Sequence, residues 1–568
     1  MNYKPYDHLS DSFMDWKILF GHEKIILSSC PVLDACQYIM QYAAMYMLPT
    51  HSTFLLVERT HLLFFLCLFV LLLTSPFQAA AGESDTSIAP VPAKFRFTYD
   101  HVSLPAGEKM GFLGSTLLFD VNEWLAFGAA SYGALVGQRG GFITLGGATE
   151  LRKVLLDDRL EMNAGLFVGA GGGRGGFQLS GGGLMLRYHF GAKLKTQLGD
   201  FGTGISYVDF PDGAIHSTQP YISYEYPFST LIATGRRELP DWEGPTLGRG
   251  KLAEHEFMTV YRSYVIPAGV LADNGQAQHR SMRLLGVEWN RYLDDGLFLK
   301  IESEGAMGGK SSGYMQILFG LGYRFELLDG TWLKLSSSAG VAGGGNVATG
   351  GGLIIDAVAS LQQRLGDHLF AEVSAGYVKV PETTFKAVSL AGKLGYHFYT
   401  PNVRDQRVDI ADLSGFEPEY FRIRATHQSY YKAAANWRSH HPDLNVDLLG
   451  AQLDYFPHKN FYLTGQGIAA YKGKAGAYMT GLVGAGLHLP IFGSPLFIDA
   501  EALLGAAGGG GLAVGSGLVW QANAGVGYQL FDDFSLLAQY GYMSAIKGDF
   551  KAKVLSLSLA YDFTLFTK

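Results

Sequence analysis

Residues 518–530 read LVWQANAGVGYQL. In an extended chain Leu518, Trp520, Ala522, Ala524, Val526, Tyr528 and Leu530 fall on one face, and Val519, Gln521, Asn523, Gly525, Gly527 and Gln529 on the other. A strand places successive side chains on opposite faces, so this period of two is a strand signature. The following segments repeat it. Phe534, Leu536, Ala538, Tyr540 and Tyr542 alternate with Ser535, Leu537, Gln539 and Gly541, and Leu555, Leu557, Leu559, Tyr561 and Phe563 with Ser556, Ser558, Ala560 and Asp562. One face is apolar and ends in aromatic rings; the other is small and polar. Strands of soluble sandwiches usually stop at about five or six residues. These run to about ten, the length that crosses a bilayer at a tilt. From Gly82 onward no apolar run reaches the roughly 18 residues of a spanning helix.

Working outward, three blocks of about 160 residues align end to end. LEMNAGLFVGAGGGRGGFQLSGGGLML (160–186) matches WLKLSSSAGVAGGGNVATGGGLII (332–355) and LFIDAEALLGAAGGGGLAVGSGLVW (496–520). Leu113-Gly114, Leu285-Gly286 and Leu449-Gly450 open equivalent strands, and the blocks end at Phe228, Phe398 and Phe563 in YEYPF, GYHF and AYDF. Each block reads as eight strands. In the last they fall near 419–430, 444–456, 460–471, 475–489, 495–507, 513–530, 533–544 and 551–564. Even-numbered connections are tight (DVNEW, LLDDRL and LGDFG in the first block), and odd-numbered ones are longer and glycine-rich or polar.

Composition agrees. Gly is 74 of 568 residues, about twice the ordinary usage of roughly 7%. Aromatics reach 13% while charged residues are only 17%, against a norm of about 25%. A net charge of -7 removes the basic face that nucleic-acid binding requires. Mean hydropathy of +0.11 is too low for a polytopic helical membrane protein and too high for disorder.

The N-terminus reads as a targeting segment. Leu62–Leu73 (LLFFLCLFVLLL) is an apolar run of 12, about 18 Å as a helix and too short for a hydrocarbon core of roughly 30 Å. Arg59 precedes it, and Ala79-Ala80-Ala81 follows, which predicts a signal peptide over 47–81 cleaved before Gly82. Residues 1–46 do not belong ahead of such a signal and are expected to be a non-native extension, with Met47 the initiator. Cys30, Cys36 and Cys67 all precede the cleavage point, so the exported chain would hold no disulfide or Cys-ligated metal.

With alternation, an export signal and a terminal Tyr561-Asp562-Phe563 strand, the chain over about 94–568 resembles the outer-membrane β-barrel proteins of Gram-negative bacteria. The resemblance implies an outer-membrane location, short periplasmic turns, and recognition of the last strand by the barrel-assembly machinery. The extension TLFTK after Phe563 departs from a strict terminal pattern.

Three repeats (82–254, 255–418 and 419–568) of eight strands give an all-β, antiparallel transmembrane barrel of about 24 strands, or three tandem barrels of eight. The joins at 229–254 and 399–418 are long and rich in Pro and charge, which suits linkers between separate barrels. A closed eight-stranded barrel, however, must fill its interior with side chains, and inward positions such as Gly525, Gly527, Ser556, Ser558 and Ala560 are small. The first block offers Arg96, Asp100, Glu161 and Arg187 as a charged filling, whereas the third lacks the full set. The single barrel is therefore the expectation.

Motifs for chemistry are few. GAGGGRGG (169–176) has no following Lys-Ser/Thr and no β-α unit, so it reads as a turn rather than a phosphate cradle. His427-x-Ser429 is similar to the His-x-Ser pairing of outer-membrane lipid A deacylases, but lacks equivalents in the other blocks and an orienting Asn or Glu. His440-His441 beside Asp443 is a loop pair of the kind that usually binds nothing. No catalytic, cofactor or metal residue is assigned. The expected function is a channel for solute or polymer with a periplasmic or plugging partner. The alternatives are a surface scaffold without transport and, more distantly, a membrane-embedded hydrolase.

Overall fold

The computed structural model describes residues 87–156, 159–239, 247–248, 251–403, 406–439, 441 and 444–568. The upstream extension, the signal peptide and all three cysteines lie outside them. Among the described residues no helix is long and apolar enough to cross a membrane, and nearly everything is antiparallel strand.

The single 24-stranded barrel is not what forms. The strands close as three separate barrels of eight: the first runs from Val91–Ser103 to His216–Thr230, the second from Leu252–Val265 to Lys386–Pro401, and the third from Glu417–Lys432 to Lys551–Thr567. In each, the first strand pairs with the last. Examples are Phe97 with Tyr224, Val260 with Lys393, and His427 with Leu557. Strands run from 11 to 17 residues, and all neighbours are antiparallel. Each unit is a closed, all-antiparallel eight-stranded barrel.

The outer faces carry the apolar set read from alternation: Phe190, Ile205 and Ile222 on the first barrel, Leu361, Val373 and Leu394 on the second, Trp520, Val526 and Leu557 on the third, all exposed. Ser558 and Asn523 are buried inside, as the register required.

The expectation of a wide, empty lumen fails for two physical reasons. First, inward glycines are covered by rings from the adjacent strand. A Cβ on Gly322, Gly395, Gly486 or Gly527 would lie 2.0–2.2 Å from the ring of Phe298, Phe370, Tyr462 or Phe497, the residue paired with it across the ladder. Second, each interior is spanned by buried ion pairs. In the first barrel Arg96 bridges Glu150 and Glu225, Lys193 Nζ lies 2.9 Å from Glu150 and Glu225 and 2.8 Å from Glu161, and Arg187 holds Asp100 at 2.9 Å. In the second, Arg262 meets Glu302 (2.8 Å) and Glu304 (2.9 Å), while Lys334 and Lys393 share Glu372 at 3.0 and 2.7 Å. The third has a set of its own: Arg422 with Asp454 (2.7 Å) and Asp499 (2.8 Å), and Arg424 with Asp454 (2.8 Å) and Glu501 (2.7 Å). The third block, expected to lack the full set, therefore carries a complete one, with Asp454 32 and 30 positions from Arg422 and Arg424.

The joins are ordered rather than loose where described. Ile232–Thr234 adds a short strand to the edge of Lys551–Thr567, and Ser87–Ile88 pairs with Val408–Asp409. Leu231, Leu413, Phe416 and Phe566 bury one another there with Ile88 and Val408, so both joins meet the last strand in one apolar knot at the turn end of the barrels.

Candidate functional site

At the opposite end a six-residue motif occurs three times: GQRGGF (137–142), GKSSGY (309–314) and GKAGAY (473–478). Each forms the loop between strands three and four of its barrel. The aromatic residue closes the turn by donating its N–H three residues back, Phe142 to Arg139 O (2.9 Å), Tyr314 to Ser311 O (3.0 Å) and Tyr478 to Ala475 O (2.9 Å). Its own carbonyl accepts from Ala134, Ala306 or Ala470, and its ring is buried in the barrel top. The fifth residue, Gly141, Gly313 or Ala477, has φ of 82°, 86° or 88°, a left-handed conformation natural to glycine.

These loops clasp the neighbouring barrel. A Cβ on Gly343 would lie 2.4 Å from Gly141 N, one on Gly508 2.1 Å from Gly313 N, and one on Gly172 2.8 Å from Ala477 N. The loop of barrel one thus enters the glycine-rich loop between strands five and six of barrel two. That of two enters three, and that of three enters one. Gly140 N donates to Gly350 O (2.8 Å) and Gly476 N to Gly181 O (3.3 Å) across two of the three seams. A head-to-tail contact that closes after three steps is a ring with pseudo-threefold symmetry. Beneath it Ile143, Met315 and Met479, the residues that follow the three aromatics, meet in an apolar cluster with Ile317 and Val341. Phe97 of barrel one and Phe319 of barrel two add an edge-to-face contact at 5.0 Å.

On the axis these six loops, with the loop between strands one and two of barrel two, leave a cavity of about 310 Å³, lined by Gly140, Gly173, Gly344, Gly509 and their neighbours together with Arg174, Phe177, Asp273, Asn346 and Lys474. Arg174 is 3.0 Å from Asp273, across the seam between barrels one and two. Phe177 stacks edge-on against His441 at 5.0 Å and lies 6.0 Å from Lys474 Nζ. Arg438 fixes the floor of the third barrel's loops by donating to the carbonyls of Leu444 (3.1 Å), Gly473 (2.8 Å) and Lys474 (3.0 Å). Burial pushes its guanidinium below the ordinary arginine value.

The residues singled out from sequence fare differently. GAGGGRGG ends strand Leu160–Gly172 and opens the short helix Gly176–Ser180, where it forms part of the ring. The structure does bring His427 and Ser429 together: Ser429 Oγ is 3.2 Å from His427 Nε2 and donates to Asp447 Oδ1 at 2.7 Å. The carboxylate therefore holds the serine rather than orienting the imidazole, whose Nδ1 faces the Tyr471 hydroxyl at 3.5 Å. Ser429 is paired in ladders on both sides, to Asp447 and to Leu555, which makes it a poor place for an oxyanion hole. His440 and Asp443 lie outside the described residues, and His441 packs on Phe177. Sequence reading missed the thrice-repeated hexapeptide, although its spacing was there to be found.

No family model and no curated protein matches the sequence. Among solved structures, the chain is similar to the ferric enterobactin receptor PfeA of Pseudomonas aeruginosa (9% identity, TM-score 0.25, covering 84% of this chain and 82% of that one). It is similar also to the siderophore receptor PirA of Pseudomonas aeruginosa (11%, 0.25, 83% and 80%) and the FrpB iron transporter from Neisseria meningitidis (8%, 0.27, 86% and 83%). Likeness at that level assigns neither ligand nor mechanism to this chain.

Proposed function

We propose that the chain is an outer-membrane protein whose three sealed barrels hold a loop-borne cavity at their common axis, loop end outward, and that it binds solute there without an open pore. The observation that carries this reading is the filling of each barrel by buried ion pairs and rings, with the loops of all three converging on one concavity. The bilayer is the first partner, met by the apolar outer faces. Purified protein in a planar bilayer should show no stable conductance; large ohmic steps from partner-free protein would overturn the reading.

A second reading keeps passage of solute. It is favoured by the position of the cavity above Ile143, Met315 and Met479, the contacts that would have to part for anything to pass along the axis. Slow efflux of small solutes from proteoliposomes, in preparations without conductance, would select it over pure binding.

A further inference from the structure

The ring explains the glycines but not the side chains that break its symmetry. Arg174 stands where the other two repeats have Gly345 and Gly510, and Phe177 and Lys474 share its wall. Clamping the barrels is a weak reason for Arg174. Its side chain and that of Asp273 are 43% and 28% exposed, and ion pairs this open contribute little to stability. Such a pair exchanges readily for an incoming anion. The wall carries two cations, and among the described residues Asp273 is its one carboxylate. Phe177 is held upright by His441 and presents a ring beside Lys474. Apart from Ser312, Asn346, Val347 and Ala477, the rest of the lining is glycine main chain, which lets peptide groups approach a ligand without intervening side chains. At about 310 Å³ the space sits at the low end of ligand pockets, which run roughly 300–1,000 Å³.

From these features, and resting on the binding reading above, we infer that the axial cavity takes one acidic sugar, a hexose-sized ring bearing a phosphate or carboxylate. The acid group replaces Asp273 on Arg174 and reaches Lys474. The C–H face of the sugar lies on Phe177, and its hydroxyls meet the peptide groups of the glycine loops. The same chemistry is offered by a free sugar phosphate or uronate and by the acidic sugars of an outer-leaflet glycolipid.

The test uses the full chain in detergent micelles, titrated calorimetrically with glucose 1-phosphate, glucuronate, glucose and inorganic phosphate. The two acidic sugars should bind, with glucose and inorganic phosphate each at least tenfold weaker. R174Q and K474Q should each weaken acidic-sugar binding about tenfold, with unchanged heat-modifiable mobility on gels as the check that the barrels remain folded. Competition by glycolipid-containing micelles, absent with phospholipid alone, would make the natural source lipid-borne; lack of competition would make it the free sugar. Absence of acidic-sugar binding at millimolar concentration, equal binding of glucose, or wild-type affinity in both variants would overturn the proposal. Conductance measured on the same preparation tests the sealed-barrel reading separately, so either can fail alone.

Discussion

Arg262 is the residue whose removal distinguishes a sealed interior from a wet one. Its Nε lies 2.9 Å from both carboxylate oxygens of Glu304, one terminal nitrogen is 2.8 Å from Glu302, and the other donates to Ser389 Oγ at 2.8 Å. The side chain is 1% exposed and both acids are fully covered. In Arg262→Met, Lys300, 2.9 Å from Glu302, is left as the nearest compensating charge. Breaking one partner of a buried ion pair costs about 3–5 kcal/mol, because the other charge stays buried without compensation. In a hydrated lumen the same deletion would remove an exposed pair worth about 0–1 kcal/mol. Urea unfolding of protein folded into lipid vesicles, followed by tryptophan fluorescence, measures the difference. R262M should lose several kcal/mol, and R262M/E304Q should regain part of it, since the second change removes one stranded charge. A loss below about 1 kcal/mol for R262M would show that water fills the barrel, and the argument for closed interiors would fall with it.

Other outcomes follow from the ring and the belt. Ala477 holds a φ of 88° where its two counterparts are glycine, so A477G should gain about 0.5–1 kcal/mol in the same unfolding assay; a loss would mean that its methyl group contributes more than its conformation costs. G508A needs no unusual φ but puts a Cβ 2.1 Å from Gly313 N and 2.3 Å from Gly313 Cα. It should destabilise by about 1–3 kcal/mol and loosen the seam between barrels two and three, read as faster proteolysis of the loops. L557R should cost about 2–4 kcal/mol on the lipid face. S558R, which a wide lumen would tolerate, should be at least as damaging because Ser558 sits inside, bonded to Thr426 at 3.0 Å; a benign S558R contradicts the filled interior. In the turn before Leu297, Asp294 Oδ1 accepts from the N–H groups of Gly296 (2.8 Å) and Leu297 (2.6 Å), which holds its carboxyl below the ordinary value. A depressed carboxyl stabilises above the unfolded value of about 3.9 and loses that contribution as pH falls through the folded one. The stability gap between wild type and D294A should therefore be full at neutral pH and close in acid; a gap unchanged at pH 2 would refute it.

Much of the strand map was legible. Strands expected near 460–471 and 495–507 are Phe461–Lys472 and Leu496–Gly508, and the apolar set of 518–530 faces outward as read. Period-two alternation reports which face a side chain takes, and a closed barrel with an apolar outer face imposes that strictly. It carries no information on which strand closes against which, so eight and 24 looked alike. Inward glycines look like empty space in the sequence because the ring that covers each one, such as Phe497 over Gly527, lies 30 positions away along the chain. Charge partners such as Arg96 and Glu225 are 129 positions apart. The cavity was invisible for a related reason. Its wall is assembled from loops of all three repeats, and no single window of sequence contains it.

One consequence of tying the three barrels into one polypeptide concerns how the ring can vary. Three identical subunits around a threefold axis must place every charge in triplicate, so an arginine facing the centre would meet two copies of itself. Here Arg174, Gly345 and Gly510 can differ because each is written once. The covalent joins also keep the partners together at an effective concentration set by the chain and not by expression. Assembly of the ring is then a first-order event within one molecule, independent of how many copies the cell makes, and its stoichiometry is fixed by translation.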